Sequence, residues 1–282
     1  MMFFSLVVAT LNRVDELERL LCSLSSSKHR DFEIILVDQN ADHRLDEIVQ
    51  RWSQLYLLKH VRIENRGANY ARNQGLRLSC GEIICFADDD CWFDPETLGK
   101  VEYTLNFHQL DAVFGCVRDK SGKQSVGKFP EGPVMITARN TWGTSVESAG
   151  FFRRGFFEDC GLFDESIGPG PNKRYGAHEI DDLIIRAYQR RKKLLFDPSI
   201  VVRHDQVTEG DWSKRYLRAY KYGLGMGYVM GKHRVATVHF LPFIVKPLLM
   251  SMVMRVMRQK ERADFYEVVW RSRLLGRQEY GS

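Results

Sequence analysis

The residues able to do chemistry in this chain gather in two acidic clusters. Three carboxylates, Asp88-Asp89-Asp90, directly follow the apolar run Ile83-Ile84-Cys85-Phe86-Ala87. Adjacent carboxylates repel one another unless a cation or a set of donors relieves them. A hard divalent cation such as Mg²⁺, held by one or two carboxylates and by phosphate oxygens, supplies that relief in many sites. The structural alternative is a solvated acidic turn or the cap of the next helix. Asp94-Pro95-Glu96 looks like that helix start, with Asp94 as cap, which leaves the triplet for other work. The second cluster is Glu179-Ile180-Asp181-Asp182, ahead of a helical stripe of Leu183, Ile184 and Ala187. Carboxylates in a first helical turn are favoured by the helix dipole, so Asp181 and Asp182 have a structural explanation. Glu179 precedes the stripe and follows a Gly/Pro-rich loop, Ser166 to His178, so a proton-abstracting role suits it best of the three.

The elements that must position these groups alternate in type. Phe3–Thr10, Glu33–Asp38, Leu58–Ile63 and Ile83–Ala87 read as strands. Val14, Leu17, Leu20, Leu21 and Leu24 recur at helical spacing, as do Leu45, Ile48, Val49, Trp52 and Leu55; Ala68–Leu78 is a third helix. A βαβαβαβ order implies a parallel sheet with right-handed crossovers. Thr10, Asp38 and Asp88 then fall at the carboxyl ends of neighbouring strands, where ligand clefts of such sheets lie. Arg66 and Arg72 stand before and within the third helix, suited either to solvent or to phosphate. No GxGxxG fingerprint and no GxxxxGK[ST] loop is present, so dinucleotide-binding and P-loop readings lack support.

Length and composition fit one large α/β domain with an appendage, or two small domains: 282 residues, 44% hydrophobic and 27% charged. The formal charge of +5 is unevenly placed. Residues 211–282 hold 14 Lys/Arg against 5 Asp/Glu, and the remainder holds 27 against 31. A basic tail on a mildly acidic body points to an anionic surface as partner. The cationic excess sits beside apolar residues and on no motif that reads RNA or DNA, so no nucleic acid is expected. Six cysteines without a CxxC pair read as reduced core residues of a cytosolic protein and not as a zinc site. Phe3–Ala9 is too short for a signal-peptide core and makes a better first strand. No run of 18 apolar residues occurs, and no membrane-spanning helix is expected.

Thr10-Leu11-Asn12-Arg13, Ile34–Asp38, Asn65-Arg66-Gly67 with Ala71–Gly75, and Phe86–Asp90 together resemble family 2 glycosyltransferases. The resemblance covers about the first hundred residues and departs at Ala9, where many members carry proline. It implies a GT-A fold, Rossmann-like with a mostly parallel central sheet flanked by helices, and an inverting enzyme that uses a nucleotide-sugar donor. On that resemblance Asp88 and Asp90 match the DxD signature. Asp88 faces the ribose or sugar, and Asp90 meets a divalent cation, Mg²⁺ or Mn²⁺, on the diphosphate. Thr10, Asn12, Arg13, Asp38, Arg66, Arg72, Asp88 and Asp89 are the implied nucleotide-sugar residues; Asp90, Asp88 and His204 are the implied metal ligands. Glu179, Asp182 and Asp181 match the family's acidic helix-opening motif, although Ile180 stands where a Glu-Asp pair is commoner. Glu179 is the expected base.

The second half is expected to handle the acceptor, a glycan or lipid-linked glycan in cell-surface polysaccharide synthesis. Asp111–Val117 reads as a strand and Asp119–Pro133 as a loop; Thr141–Phe152 leads into an aromatic strand placed across the sheet edge. The expected division is a glycosyltransferase domain over 1–208, with a nucleotide half 1–118 and an acceptor half 119–208, then a helical extension over 209–282. In that extension the spaced glycines of Tyr222–Tyr228 allow close helix packing or a re-entrant turn. The stretch Phe240–Met257 is apolar but broken by Pro242, Lys246, Pro247 and Arg255. It suits a peripheral position on the inner face of the cell membrane, the alternative being a C-terminal helical pair that packs on the domain or on a second subunit. Two other readings make different demands on the sequence. A sugar-nucleotide nucleotidyltransferase would carry a basic glycine-rich loop where Thr10–Arg13 stands. An inactive membrane-docking scaffold would have no use for Asp88, Asp90 and Glu179, and donor hydrolysis separates it from an enzyme.

Overall fold

The buried apolar runs of the first half become the centre of a sheet. The computed structural model describes residues 1–206 and 210–281. It divides into two units, Met1–Phe163 with Leu183–Val207, and Asp164–Asp182 with Thr208–Ser282. The boundary expected between 208 and 209 lies outside the described residues.

In the first unit β1 (Phe4–Thr10), β2 (Phe32–Asp38), β3 (Leu57–Arg62) and β4 (Ile83–Asp88) run parallel in the order β3-β2-β1-β4. Helices α1 (Asp15–Ser25), α2 (Asp46–Trp52) and α3 (Ala68–Leu78) make the crossovers. Every residue of β2 is buried, as expected of a strand covered on both faces. Leu17, Leu20, Leu21 and Leu24 form the buried stripe of α1. The helix expected to reach Leu55 stops at Trp52, leaving Leu55 exposed. Beyond β4 come β5 (Cys91–Phe93), α4 (Thr97–Phe107), β6 (Ala112–Arg118), β7 (Val134–Met135), β8 (Gly150–Arg153), α5 (Gly155–Cys160) and β9 (Leu194–His204). They continue the sheet as β4-β8-β6-β9-β5, with β7 on β9, to make nine strands among the described residues.

Two expectations fail here. The aromatic strand β8 is interior, antiparallel to both β4 and β6. Its Phe152 ring meets Phe86 and Phe114 edge-on, which is where so apolar a strand is best buried. Asp94 does not cap α4: the helix begins at Thr97, and the Asp94 carboxylate accepts from Arg203 Nε at 3.0 Å and Nη2 at 2.8 Å.

At the other end of the sheet lies a buried charge. Glu33 on β2 accepts from Ser5 Oγ at 2.6 Å and the Cys80 amide at 2.5 Å, and pairs with Lys59 at 2.9 Å. Burial alone would raise its pKa, but the Ser5, Lys59 and Cys80 bonds outweigh it and hold the carboxyl below its ordinary range. A lowered carboxylate stabilises the fold above its unfolded pKa and loses that contribution as pH falls through the folded value. Glu33→Gln should therefore melt earlier at neutral pH, and the gap in Tm should close on acidification. A constant gap across the acid range would refute this role.

The second unit contains α7 (Trp212–Lys232), α8 (Thr237–Val256) and α9 (Lys260–Gly281), together with residues 164–182, which end in the first turn of α6 (Glu179–Gln189). The spaced glycines of α7 serve close packing. A Cβ on Gly227 would stand 2.1 Å from the Arg273 carbonyl of α9, and one on Gly276 would stand 2.1 Å from that of Leu224. Gly227→Ala should cost about 1–3 kcal/mol through overpacking. Gly99→Ala, at an exposed position of α4 where nothing lies within 4 Å, should gain up to about 1 kcal/mol from helix propensity. Thermal melts of the two variants should move in opposite directions.

Helix α8 lies antiparallel to α9, burying Phe240, Ile244, Pro247 and Ser251. Ser251 Oγ donates to the Ala263 carbonyl at 2.9 Å. Pro247 cannot donate to the carbonyl four residues back, that of Phe243, and Arg273 Nη1 donates to it instead at 2.6 Å. Burial pushes the Arg273 guanidinium down to about 10. With 20 residues and a mean hydropathy of 1.6, α8 is by length and composition apolar enough to cross a membrane, contrary to the expectation that no segment would be. The two prolines, Lys246 and Arg255 interrupt the apolar run without ending the helix.

Candidate active site

The strand register sets the site. Thr10 pairs with Asp38 across β1 and β2, and Ala9 with Asp88 across β1 and β4, so three strand ends finish in one row. Thr10 and Asp38 are fully buried, whereas the Asp88 side chain is 42% exposed. Asp38 Oδ1 accepts from the Asn40 amide at 2.8 Å and from Asn40 Nδ2 at 2.7 Å; Oδ2 faces His60 at 3.0 Å. Burial would raise this carboxyl, but His60 and Asn40 prevail and hold it below the ordinary range. Asn40 Oδ1 also accepts from the amide of Asn12, whose φ of 60° is left-handed. Gln39 Oε1 accepts from the Gly67 amide at 2.7 Å, at the head of α3. The loops after β1, β2 and β3 are thus tied by two amide side chains. Arg66 is exposed beside Gly67.

The triplet divides its work. Asp89 is buried and pairs with Arg13 at 2.6 Å; Asp90 pairs with the same Arg13 nitrogen at 2.5 Å. Burial raises the Asp89 carboxyl despite the Arg13 charge. Burial would raise Asp90 as well, but His204 and Arg13 outweigh it and keep Asp90 low. His204 Nε2, at the end of β9, lies 3.3 Å from Asp90 Oδ2, and that bond raises the imidazole against the effect of burial. Arg72, nearly buried, reaches Asp88 Oδ1 at 3.1 Å and Asn69 at 3.0 Å. Arg19 donates to the Asp90 carbonyl at 2.9 Å and lies over the Trp92 ring.

Asp88, Asp90 and Cys91 present atoms within 4.8 Å of one another. The two carboxylates are the hard oxygen donors that Mg²⁺ and Mn²⁺ take. Burial drives the Cys91 thiol well up, and its sulfur is a soft donor, so Cys91 suits such an ion less than the two carboxylates do. The residues fit a divalent cation through Asp88 and Asp90, with His204 beside them. All six cysteines are free; four are buried, but Cys22 and Cys80 are exposed, against the expectation of core positions.

The second acidic cluster belongs to the other unit. Glu179 is the first residue of α6, so the acidic motif opens the helix; Glu179, Asp181 and Asp182 are all buried in its first turn. His178, with φ of 79°, turns the chain into the helix and sets Nδ1 2.7 Å from Asp181. Asp182 lies 2.8 Å from both Lys232 Nζ and His233 Nε2, and Lys232 also holds Asp164 at 2.6 Å.

Sequence reasoning did not single out Asn40, Gln39, Arg19, Lys232 or His233. The Asp-Gln-Asn run after β2 was the one available sign, since side-chain amides at strand ends favour turns.

Residues 5–165, more than half of the chain, match the family model described as Glycosyl transferase family 2. The chain belongs to glycosyltransferase family 2. This glycosyltransferase is 25% identical over 229 residues to the glucosyl-dolichyl phosphate glucuronosyltransferase of Haloferax volcanii, spanning 74% of the chain and 72% of that relative. Among solved structures it is similar to Staphylococcus aureus TarS 1-349, with a TM-score of 0.63 and 17% identity over 99% of this chain and 92% of that one. It is also similar to the mannosyltransferase PcManGT from Pyrobaculum calidifontis in complex with GDP-Man and Mn²⁺. That TM-score is 0.64 at 17% identity, over 98% of this chain and 74% of the other. The glycosyltransferase therefore has the GT-A fold, with C-terminal helices beyond it.

Proposed function

We propose that this glycosyltransferase moves a sugar, with inversion, from a nucleoside diphosphate donor to a hydroxyl of a glycan or lipid-linked glycan. The observation that carries the reading is the row of strand ends. Half-exposed Asp88 stands between buried Asp38 and Thr10 on one side and an Asp90 kept ionised by Arg13 and His204 on the other. In this reading Thr10, Asn12, Arg13, Asp38, Arg66, Arg72, Asp88 and Asp89 form the nucleotide-sugar site. Asp38 and Asp88 accept from base or sugar hydroxyls, and Arg72 and Arg66 face anionic oxygens.

Asp88, Asp90 and His204 would hold Mg²⁺ or Mn²⁺, which when bound neutralises charge on a leaving diphosphate. Inversion also needs a base for the acceptor hydroxyl. We assign it to Glu179, the first residue of α6, which directly follows the Gly/Pro-rich loop. The relative named for glucosyl-dolichyl phosphate supports a lipid-linked acceptor, and cell-surface polysaccharide synthesis is the role proposed with it. Such an acceptor would place the enzyme peripherally on the cytoplasmic face of a membrane. Residues 1–208 form the transferase domain in this reading and 209–282 its extension.

The test is a panel of UDP-, GDP- and dTDP-sugars incubated with the protein with and without Mn²⁺ or Mg²⁺. One donor should be hydrolysed slowly and only with metal. Absence of both binding and hydrolysis across the panel would overturn the reading.

A further inference from the structure

The apolar helix α8 is largely uncovered. Its buried edge runs through Phe240, Ile244, Pro247 and Ser251, against α9. Around the rest, Val238, Leu241, Val245, Leu249, Met252 and Val256 are exposed, at steps of three and four residues. Such a continuous apolar stripe on a helix surface marks an interaction face. The helix contains no Asp or Glu, and Lys246 and Arg255 are exposed on it. At its C-terminal end a cleft of about 560 Å³ is lined by Trp212, Arg258, Lys260 and Arg262, with Glu261 and Asp264.

We propose that this face of α8 docks in the plane of an anionic phospholipid surface, its stripe in the acyl boundary and Arg258, Lys260 and Arg262 on the lipid phosphates. The proposal deepens the peripheral placement given above and rests on it. Charge complementarity selects the occupant: an acid-free apolar face bordered by exposed cations matches anionic headgroups over hydrocarbon. A close contact with a second copy would cover the exposed Lys246 amine beside the stripe, whereas at a lipid surface a lysine extends its amine to the headgroups.

The position of α9 argues for lying in the plane and against crossing. Ser251 bonds Ala263, Arg273 bonds the Phe243 carbonyl, and Arg277 lies over the Phe240 ring, so α8 is attached to α9 along its length. Helix α9 carries nine charged side chains. Taking it through a bilayer with α8 would be costly.

The full chain should float with vesicles of phosphatidylcholine containing phosphatidylglycerol, and much less with phosphatidylcholine alone. Raised salt should weaken that binding. The double substitution Leu241→Asp/Leu249→Asp, at two exposed positions, should lower vesicle affinity ~100-fold or more. Its melting temperature should stay unchanged, and Arg258→Gln/Lys260→Gln should remove much of the salt dependence. No flotation with anionic vesicles, or flotation unaffected by the leucine substitutions, overturns the proposal. So does a vesicle-free dimer that these substitutions convert to monomer, which would make the face a self-interface. Retention in the membrane after alkaline carbonate extraction overturns it in favour of a spanning helix. Donor hydrolysis, read in the same samples, keeps the two questions apart: hydrolysis without docking removes this inference alone.

Discussion

Asp90→Ala should abolish turnover and weaken binding of the nucleoside diphosphate. Asp90 stands between Arg13 at 2.5 Å and His204 at 3.3 Å, and these partners keep it ionised despite burial. Alanine removes a cation's ligand from the proposed site, so the charge developing on a departing diphosphate loses its neutralising partner. Charge stabilisation of that kind is worth several kcal/mol, which makes the expected loss ~10³-fold or more. Asp89→Asn should be milder in turnover, since Asp89 is buried, is raised by that burial, and is turned to Arg13. Chelation of wild type by EDTA should match the Asp90→Ala loss. Full activity in EDTA, or a turning-over Asp90→Ala enzyme, would remove Asp90 from this role.

Glu179→Gln should lower the transfer rate ~10²-fold or more and leave donor affinity nearly intact, because it keeps the volume and removes the base. Asp182→Asn should act differently. Asp182 is wholly buried between Lys232 and His233, so neutralising it takes one carboxylate charge away from the Lys232 ammonium and weakens the bond with His233. That should appear mainly as a lower melting temperature. Transfer kinetics, donor titrations and melts of both variants, with an acceptor found by screening, separate the roles. Near-normal transfer by Glu179→Gln beside a folded but inactive Asp181 or Asp182 variant would move the base.

Strands β1, β2 and β4 were legible because burial on both faces writes a continuous apolar run into the chain. Their ends could therefore be aligned from sequence, and the register of Thr10, Asp38 and Asp88 followed. Strand β5 was not legible: three residues carry no period, and its partner β9 lies about a hundred residues away. The interior place of β8 was hidden for a related reason, since a four-residue strand gives no sign of which neighbours it joins. The triplet announced itself by composition, whereas the Arg13 pairings and the Asn40 and Gln39 ties depend on loops brought together by the sheet. Lys232 and His233 lie 50 residues beyond the acidic cluster they hold, past any local pattern.

The glycine seam of α7 and α9 bears on how this chain can vary. Where Gly227 and Gly276 let two backbones touch, the hypothetical side chain meets a carbonyl oxygen, which has no rotamer by which to yield. Sliding one helix along the other by a residue would bring a Cβ into each of those gaps. The two long helices are therefore indexed, like teeth in a rack, and hold one axial setting. Length changes should be tolerated at the helix ends and rejected between the glycines, so a graft or truncation of this hairpin must keep the spacing whole.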